Sequence, residues 1–155
     1  MYYLRKKKKK EKPMPLFDGK VKIQRRTDYI KKLDRVFSEF IRLRDTMPNG
    51  MFRCISCGKI KPYSQADCGH YHSRTHMSTR FDEENANAEC RSCNRFCADH
   101  LVGYRKNLIA KIGEHRLDVL EWRAHQTKKW SDFELKELIK HYQAKIKDLK
   151  GEKGL

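Results

Sequence analysis

Apolar residues recur at Ile30, Leu33, Phe37, Phe40 and Ile41, the spacing of one face of an α-helix. Thr27 or Asp28 can cap its start, and Pro48-Asn49-Gly50 must end it. The pattern then shortens. Met51 to Gly58 reads as a short strand or knuckle, a second strand is expected near Ala66 to Ser73, and Asp82 to about Asn94 reads as a turn. Helical spacing returns from near Asn94 through Leu101, Tyr104, Leu108 and Ile112, with Gly113 as the stop. A shorter helix is expected around Leu117 to Trp122. Ser131-Asp132-Phe133-Glu134 is a capping box for a last helix with the stripe Leu135, Leu138, Ile139, Tyr142, Ile146 and Leu149. These stripes are read as ordinary core that braces a small centre.

A chain of 155 residues fits one compact domain. Residues 1–26, with Lys6 to Lys10, Pro13, Pro15 and Gly19, read as a basic flexible arm, 27–150 as the domain and 151–155 as a tail. Hydrophobic residues make up 38% and charged residues 36%, so the core is small and calls for a staple beyond apolar burial. Lys plus Arg number 36 against 20 Asp plus Glu, a net charge of +16, which favours a polyanionic partner. No apolar run approaches the roughly 20 residues that cross a bilayer, and the start carries no secretory h-region, so a cytosolic protein with no membrane partner is expected.

In a reducing compartment six cysteines are poor disulfide candidates. Four of them form Cys54-Ile55-Ser56-Cys57 and Cys90-Arg91-Ser92-Cys93. Two such pairs supply four thiolates, which complete a tetrahedral Zn2+ with no position left open, the arrangement of a structural site. Cys68 and Cys97 fall outside the pairs and are expected to be small buried residues. The expected fold is α+β and mainly helical, a small zinc-stapled core with flanking N- and C-terminal helices.

Between the pairs stands Asp67-Cys68-Gly69-His70-Tyr71-His72, and Arg80-Phe81-Asp82-Glu83-Glu84-Asn85 leads towards Cys90. A histidine on the second strand of a zinc knuckle, an Asn five residues before the second pair and an Asn directly after it resemble the HNH pattern of ββα-metal nucleases: His70, Asn85 and Asn94. More narrowly, Cys-Ile-Ser-Cys-Gly, Asp-x-Gly-His-Tyr, Arg-Phe-Asp-x-x-Asn, Cys-x-x-Cys-Asn and Tyr104-Arg105 with Leu108-Ile109 and Ile112-Gly113 are similar in order and spacing to the phage NinG/Rap recombination nucleases. The likeness runs from about Phe40 to Leu149.

That resemblance implies a DNA endonuclease, phage- or prophage-encoded and acting in a bacterial host, that cuts branched recombination intermediates such as displacement loops and Holliday-type junctions. His70 would take a proton from the attacking water, and Asn94 would hold a catalytic Mg2+ or Mn2+ through its amide oxygen. Asn85 would fix the loop and the His70 orientation. The residue before the histidine is commonly a metal ligand and here is Gly69, so Asp67 is the substitute ligand. In a straight strand Asp67 and His70 point to opposite faces, so a bulge or sharp turn at Gly69 is required. His72 is the rival, because a period of two puts it on the His70 face. Arg74, Arg80, Arg91, Arg95 and Arg105 surround the motif as candidates for phosphate contacts, whereas His76, His100, His115, His125 and His141 read as surface or satisfied histidines. Paired cuts across a four-way junction would call for two active sites, hence a homodimer. Two other readings share these features: a zinc module that binds nucleic acid without cutting it, and a general HNH nuclease of defence, homing or packaging type.

Overall fold

The computed structural model describes residues 25–153, so the arm expected over 1–26 falls almost entirely outside the described residues. Helix α1 spans Arg26–Arg44 with Arg25 as its N-cap, two residues before Thr27, the earlier of the caps considered from sequence. Asp28 sits in its first turn, and its carboxylate accepts the Arg25 backbone N–H at 3.1 Å. The apolar stripe behaves as its period requires, with Leu33, Phe37, Phe40 and Ile41 buried.

Helix α5, Asp132–Lys153, runs past the boundary drawn at 150. Its start is the expected capping box: the Ser131 hydroxyl accepts the Glu134 N–H, and the Glu134 carboxylate accepts the Ser131 N–H at 2.8 Å. Leu135, Ile139, Tyr142 and Ile146 pack against the α1 stripe with Phe81 and Ala86 in one core. Arg26 pairs with Asp132 at the starts of the two helices, and Lys153 reaches the Leu43 and Thr46 carbonyls at their ends, so α1 and α5 lie parallel.

Between these helices in sequence lie two antiparallel two-stranded sheets. Strands β1 (Met51–Arg53) and β2 (Ile60–Pro62) form the first knuckle. Strand β3 (Ala66–His70) pairs with β4 (Ala86–Cys90) in unbroken register, from Ala66 opposite Cys90 to His70 opposite Ala86. β4 was expected to be a turn. Asn85-Ala86-Asn87-Ala88-Glu89-Cys90 does alternate with the period of a strand, but Asn, Ala and Glu are depleted in strands, and tertiary burial outweighs that preference.

The single helix expected from Asn94 is two. Helix α2, Arg91–Phe96, stops before Cys97, and α3, His100–Ile112, starts after a short turn and ends at Gly113. Helix α4, Glu114–Ala124, buries Leu117 and Leu120 against Tyr104 and Leu108 of α3 in a separate small core. The molecule is therefore mixed α+β and mainly helical. No helix among the described residues is long and apolar enough to cross a membrane.

Candidate metal centre and active site

The β1–β2 turn and the β4–α2 junction bring the two cysteine pairs together. The sulfurs of Cys54, Cys57, Cys90 and Cys93 all lie within 4.8 Å of one another, with Cys57 and Cys90 3.9 Å apart. Four thiolates about 2.3 Å from one zinc stand roughly 3.8 Å apart, so the donor set fits that ion. Cys54 and Cys90 are buried, and the Cys90 backbone N–H points at the Cys54 sulfur at 3.2 Å. Helix α3 holds this knuckle closed. A Cβ on Gly103 would stand 2.2 Å from the Ser56 carbonyl oxygen, and the Asn107 amide donates to the Ile55 carbonyl at 2.7 Å.

His70 ends β3 on the face that meets α1. Its ring lies 6.3 Å from that of Phe37, and its Nε2 is 3.1 Å from the Arg80 carbonyl oxygen. Burial lowers its pKa from 6.5, and the nearby Arg74 cation acts in the same direction. The imidazole is therefore neutral at pH 7, the form a proton acceptor requires.

Asn85 is fully buried. Its Oδ1 accepts the His72 N–H at 2.7 Å, and its amide donates to the His72 and Thr79 carbonyls, both at 3.0 Å. One side chain thus clamps both ends of the loop that leaves His70. The acids beside it anchor the same loop: Asp82 pairs with Arg123 of α4, Glu83 with Lys145 of α5, and Glu84 with Arg116 and Arg123.

Asp67 and Asn94 do meet, on the other face of the hairpin. The Asn94 amide lies 3.2 Å from Asp67 Oδ2, and Arg95 grips both carboxylate oxygens at 2.6 and 2.9 Å. Burial raises the Asp67 pKa, but the bonds from Arg95 and Asn94 outweigh it and hold the carboxyl below its usual range. Both side chains carry the hard oxygens that Mg2+ takes, and a half-turn of the Asn94 amide would turn its oxygen towards Asp67. The Arg95 guanidinium occupies the carboxylate and would have to give way.

The bulge needed to bring Asp67 round to His70 is absent. β3 and β4 pair residue for residue and Gly69 does not have positive φ, so Asp67 faces α2 while His70 faces α1. Gly69 is there for space. A Cβ would meet Glu89 Oε2 at 2.2 Å and Glu89 Cβ at 2.8 Å. His72 lies beyond the end of β3, so the strand period does not place it with His70; its ring stacks edge-on between Tyr71 and His76.

The five arginines divide. Arg80 is bound to Asp34 at 2.6 and 2.9 Å and to the Arg74 carbonyl, a tie between loop and α1. Arg95 is held by Asp67, Arg105 stands 3.9 Å from Glu121, and Arg91 donates to the Ser64 carbonyl at 3.1 Å. Arg74 is exposed and has no ion pair among the described residues. Cys68 packs against the α1 core, where burial pushes its thiol up to about 12, whereas Cys97 is exposed, contrary to expectation, because the α2–α3 turn carries it outward.

Sequence assigns Glu89 no role and sets His100 apart from the other histidines only by its place close after the second cysteine pair. Glu89 is 0% exposed; its Oε1 accepts the Ser56 hydroxyl at 2.5 Å and His100 Nδ1–H at 2.7 Å. Its only sequence signal was the alternation along β4, which places Asn87 and Glu89 on one face.

Together these features define a small, basic α+β protein in which a hairpin runs directly into a helix over a four-cysteine cluster fit for a metal. Residues 3–152 match the family described as Bacteriophage Lambda NinG protein, and the chain belongs to that family. Protein ninG of Escherichia phage lambda is 34% identical over 137 residues, 87% of this chain and 64% of that protein. Protein ninG of Salmonella phage P22 is 36% identical over 133 residues, 84% of this chain and 62% of that protein. The chain thus spans less than two thirds of the length of these relatives. No solved structure matches it.

Proposed function

We propose that the protein is a zinc-stapled HNH-type endonuclease of the NinG/Rap kind, cutting branched DNA recombination intermediates in the cytoplasm of a bacterial host. The observation that carries this reading is the order of parts: β3 with His70 at its end, a loop clamped by buried Asn85, β4, and then α2 bearing Asn94 directly after the second cysteine pair. The Asn85 bonds to the His72 and Thr79 backbone support a loop-positioning role for it.

In the proposed reaction His70 takes a proton from water as the water oxygen bonds to phosphorus, a contribution typically worth about 10²–10⁴-fold. Asp67 and Asn94 would hold the divalent cation, Mg2+ or Mn2+, for charge neutralisation at the phosphate only if the hairpin bulges at Gly69 on binding, because the flat ladder sets them on the face away from His70. Exposed Arg74, near the His70 face, is the arginine best placed to hold a phosphate. The net charge of +16 favours the polyanion, and a branched substrate already supplies the distortion that bending a duplex would cost, of order 1–6 kcal/mol. A homodimer would provide the two active sites that paired cuts need.

The test is cleavage of matched linear, flap, three-way and four-way DNAs by the full chain with Mg2+ at one salt concentration. Faster cutting of the branched forms is the expected result. Equal rates would favour a general HNH nuclease, and binding without cutting would leave a zinc module that holds nucleic acid.

A further inference from the structure

Beside the outer edge of β4 lies a cavity of about 460 Å³ that neither His70 nor Asp67 lines. Helix α3 forms one wall, with Asn107, Ala110 and Lys111, and the α1–β1 turn and the first cysteine knuckle form the other, with Met47, Arg53 and Ile55. The walls are tied to β4. Asp45 accepts the Ala88 N–H at 2.8 Å, and the Ile55 N–H donates to the Ala88 carbonyl at 3.1 Å. Arg44 and Lys111 both pair with the Asp45 carboxylate, so its charge is already met.

Polar groups around this cavity keep bonding capacity in hand. The Asn107 amide nitrogen donates to the Ile55 carbonyl at 2.7 Å, which fixes the amide and leaves Oδ1 an acceptor with no partner among the described residues. One helical turn on, Lys111 Nζ donates to Asn87 Oδ1 at 2.6 Å and to Asp45 Oδ1 at 3.1 Å, and an ammonium has a further N–H to give. Acceptor and donor thus stand side by side on α3. Arg53 is exposed, bonds only the Gly58 carbonyl, through Nη1 at 3.0 Å, and has no ion pair among the described residues. A metal cation does not suit Lys111 and Arg53, and a bare phosphate would leave the apolar side chains of Met47, Ile55 and Ala110 unused. A wholly apolar ligand would desolvate Asn107 Oδ1 and Lys111 with nothing in return. A nucleotide uses every part: the base face lies on the apolar walls, its edge meets Asn107 and Lys111, and its phosphate meets the guanidinium of Arg53.

We infer that this cavity receives one unpaired nucleotide of a DNA strand, an inference that rests on the branched-DNA reading above. Each of the four bases carries both donors and acceptors on its hydrogen-bonding edge, so the pocket takes any of them and adds little sequence preference. A base inside a duplex must be unpaired and unstacked before it can enter, whereas a base at a branch or flap is already free. The pocket therefore favours branched over linear DNA by what it admits. It needs no contact with His70, since it holds the strand and takes no part in the bond that breaks.

The experiment uses full-length, zinc-loaded protein without added Mg2+, so that binding is read apart from cutting. Its probes are a duplex with one extrahelical deoxyadenosine, the same duplex with an abasic residue at that place, and free deoxyadenosine monophosphate. Both bulged duplexes carry the same phosphates, so the ratio of their affinities reads the base alone. Wild-type protein is expected to prefer the base-bearing bulge by about tenfold, the size of one or two net hydrogen bonds. Ala110→Trp, at an exposed position of α3, fills the cavity and should remove that preference with zinc content unchanged. Should it fail to fold, Ala110→Leu takes its place. Arg53→Gln should weaken both bulges alike and make their salt dependence shallower. Equal wild-type affinity for the two bulges, or an Ala110→Trp protein that keeps the preference, overturns the proposal. Tight binding of the free monophosphate together with indifference between the bulges also overturns it, and makes the cavity a small-molecule site. Cutting of branched DNA with Mg2+ but no preference between the bulges would remove the pocket alone, whereas the preference without any cutting would uphold the pocket and remove the endonuclease reading.

Discussion

Replacing Gly69 by Ala should destabilise the protein severely, although the substitution is small and Gly69 lies in ordinary extended backbone. Replacing a strand glycine where space is open stabilises by about 0.4–1 kcal/mol, since the unfolded chain loses freedom. Here the new methyl group would stand 2.2 Å from Glu89 Oε2 and 2.8 Å from Glu89 Cβ. The Cβ contact belongs to a β4 residue paired in register and cannot be relieved by a rotamer change alone. Overpacking of this kind costs about 1–3 kcal/mol. If the carboxylate also swings away, the bonds from Ser56 and His100 are lost, each worth roughly 1.5–3 kcal/mol to a charged acceptor. The net expectation is a loss of about 3–5 kcal/mol, a large part of the roughly 5–15 kcal/mol that holds a domain together. Urea unfolding of the zinc-loaded chain measures it. With a slope of about 2 kcal/mol per molar, the midpoint should fall by roughly 2 M at unchanged slope. A Gly69→Ala midpoint equal to or above that of wild type would refute the close-approach account of this glycine and return it to the bulge that sequence reasoning required.

Elemental analysis should find one zinc per chain, and Cys90→Ser or strong chelation should unfold the domain, since structural zinc contributes on the order of 10–16 kcal/mol of apparent free energy; a folded, zinc-free chain would contradict this. The lowered pKa of His70 carries two consequences. The acid limb of the kcat/KM–pH profile, which reports the free enzyme, should lie below pH 6.5, and a limb above pH 7 would remove His70 as the base. As pH falls, the unfolded chain binds this proton first. The neutral-His70 contribution to stability is therefore complete above about pH 6.5 and is lost as pH drops through the lower folded-state value, a dependence that His70→Phe should flatten in pH-resolved urea melts. Arg80→Ala should cost about 1–3 kcal/mol of stability by breaking the Asp34 pair, in which both side chains are less than one-fifth exposed. Arg74→Ala should leave stability alone and weaken DNA binding with a shallower salt slope. The opposite pattern in melts and binding isotherms would reverse the two assignments.

Much was legible along the chain because it is written in local terms. The 3.6-residue stripes of α1 and α5, the Ser131–Glu134 box and the Gly113 stop depend on neighbours a few positions away, and they stand nearly where spacing put them. The cysteine pairs were legible for a different reason: a tetrahedral thiolate site has one chemical meaning, and Cys-x-x-Cys brings two ligands to it without help from the fold. The hairpin was not. β4 is built from Asn, Ala and Glu, whose strand preference is poor, and it exists because Tyr104, Lys111, Arg44 and His100 from distant elements satisfy its buried polar side chains. For the same reason the faces of the site could not be assigned in advance. The spacing of Asp67, Gly69 and His70 allowed either a bulge that joins acid and histidine or a flat ladder that parts them. Only the packing of Glu89 over Gly69, with α1 on one side and α2 on the other, decides for the ladder. Sequence therefore determined the four-cysteine set fit for a metal and the strongly basic charge. The tertiary structure decided which side chains meet each other, because side chains on opposite faces of a strand belong to different environments however close they lie in the chain.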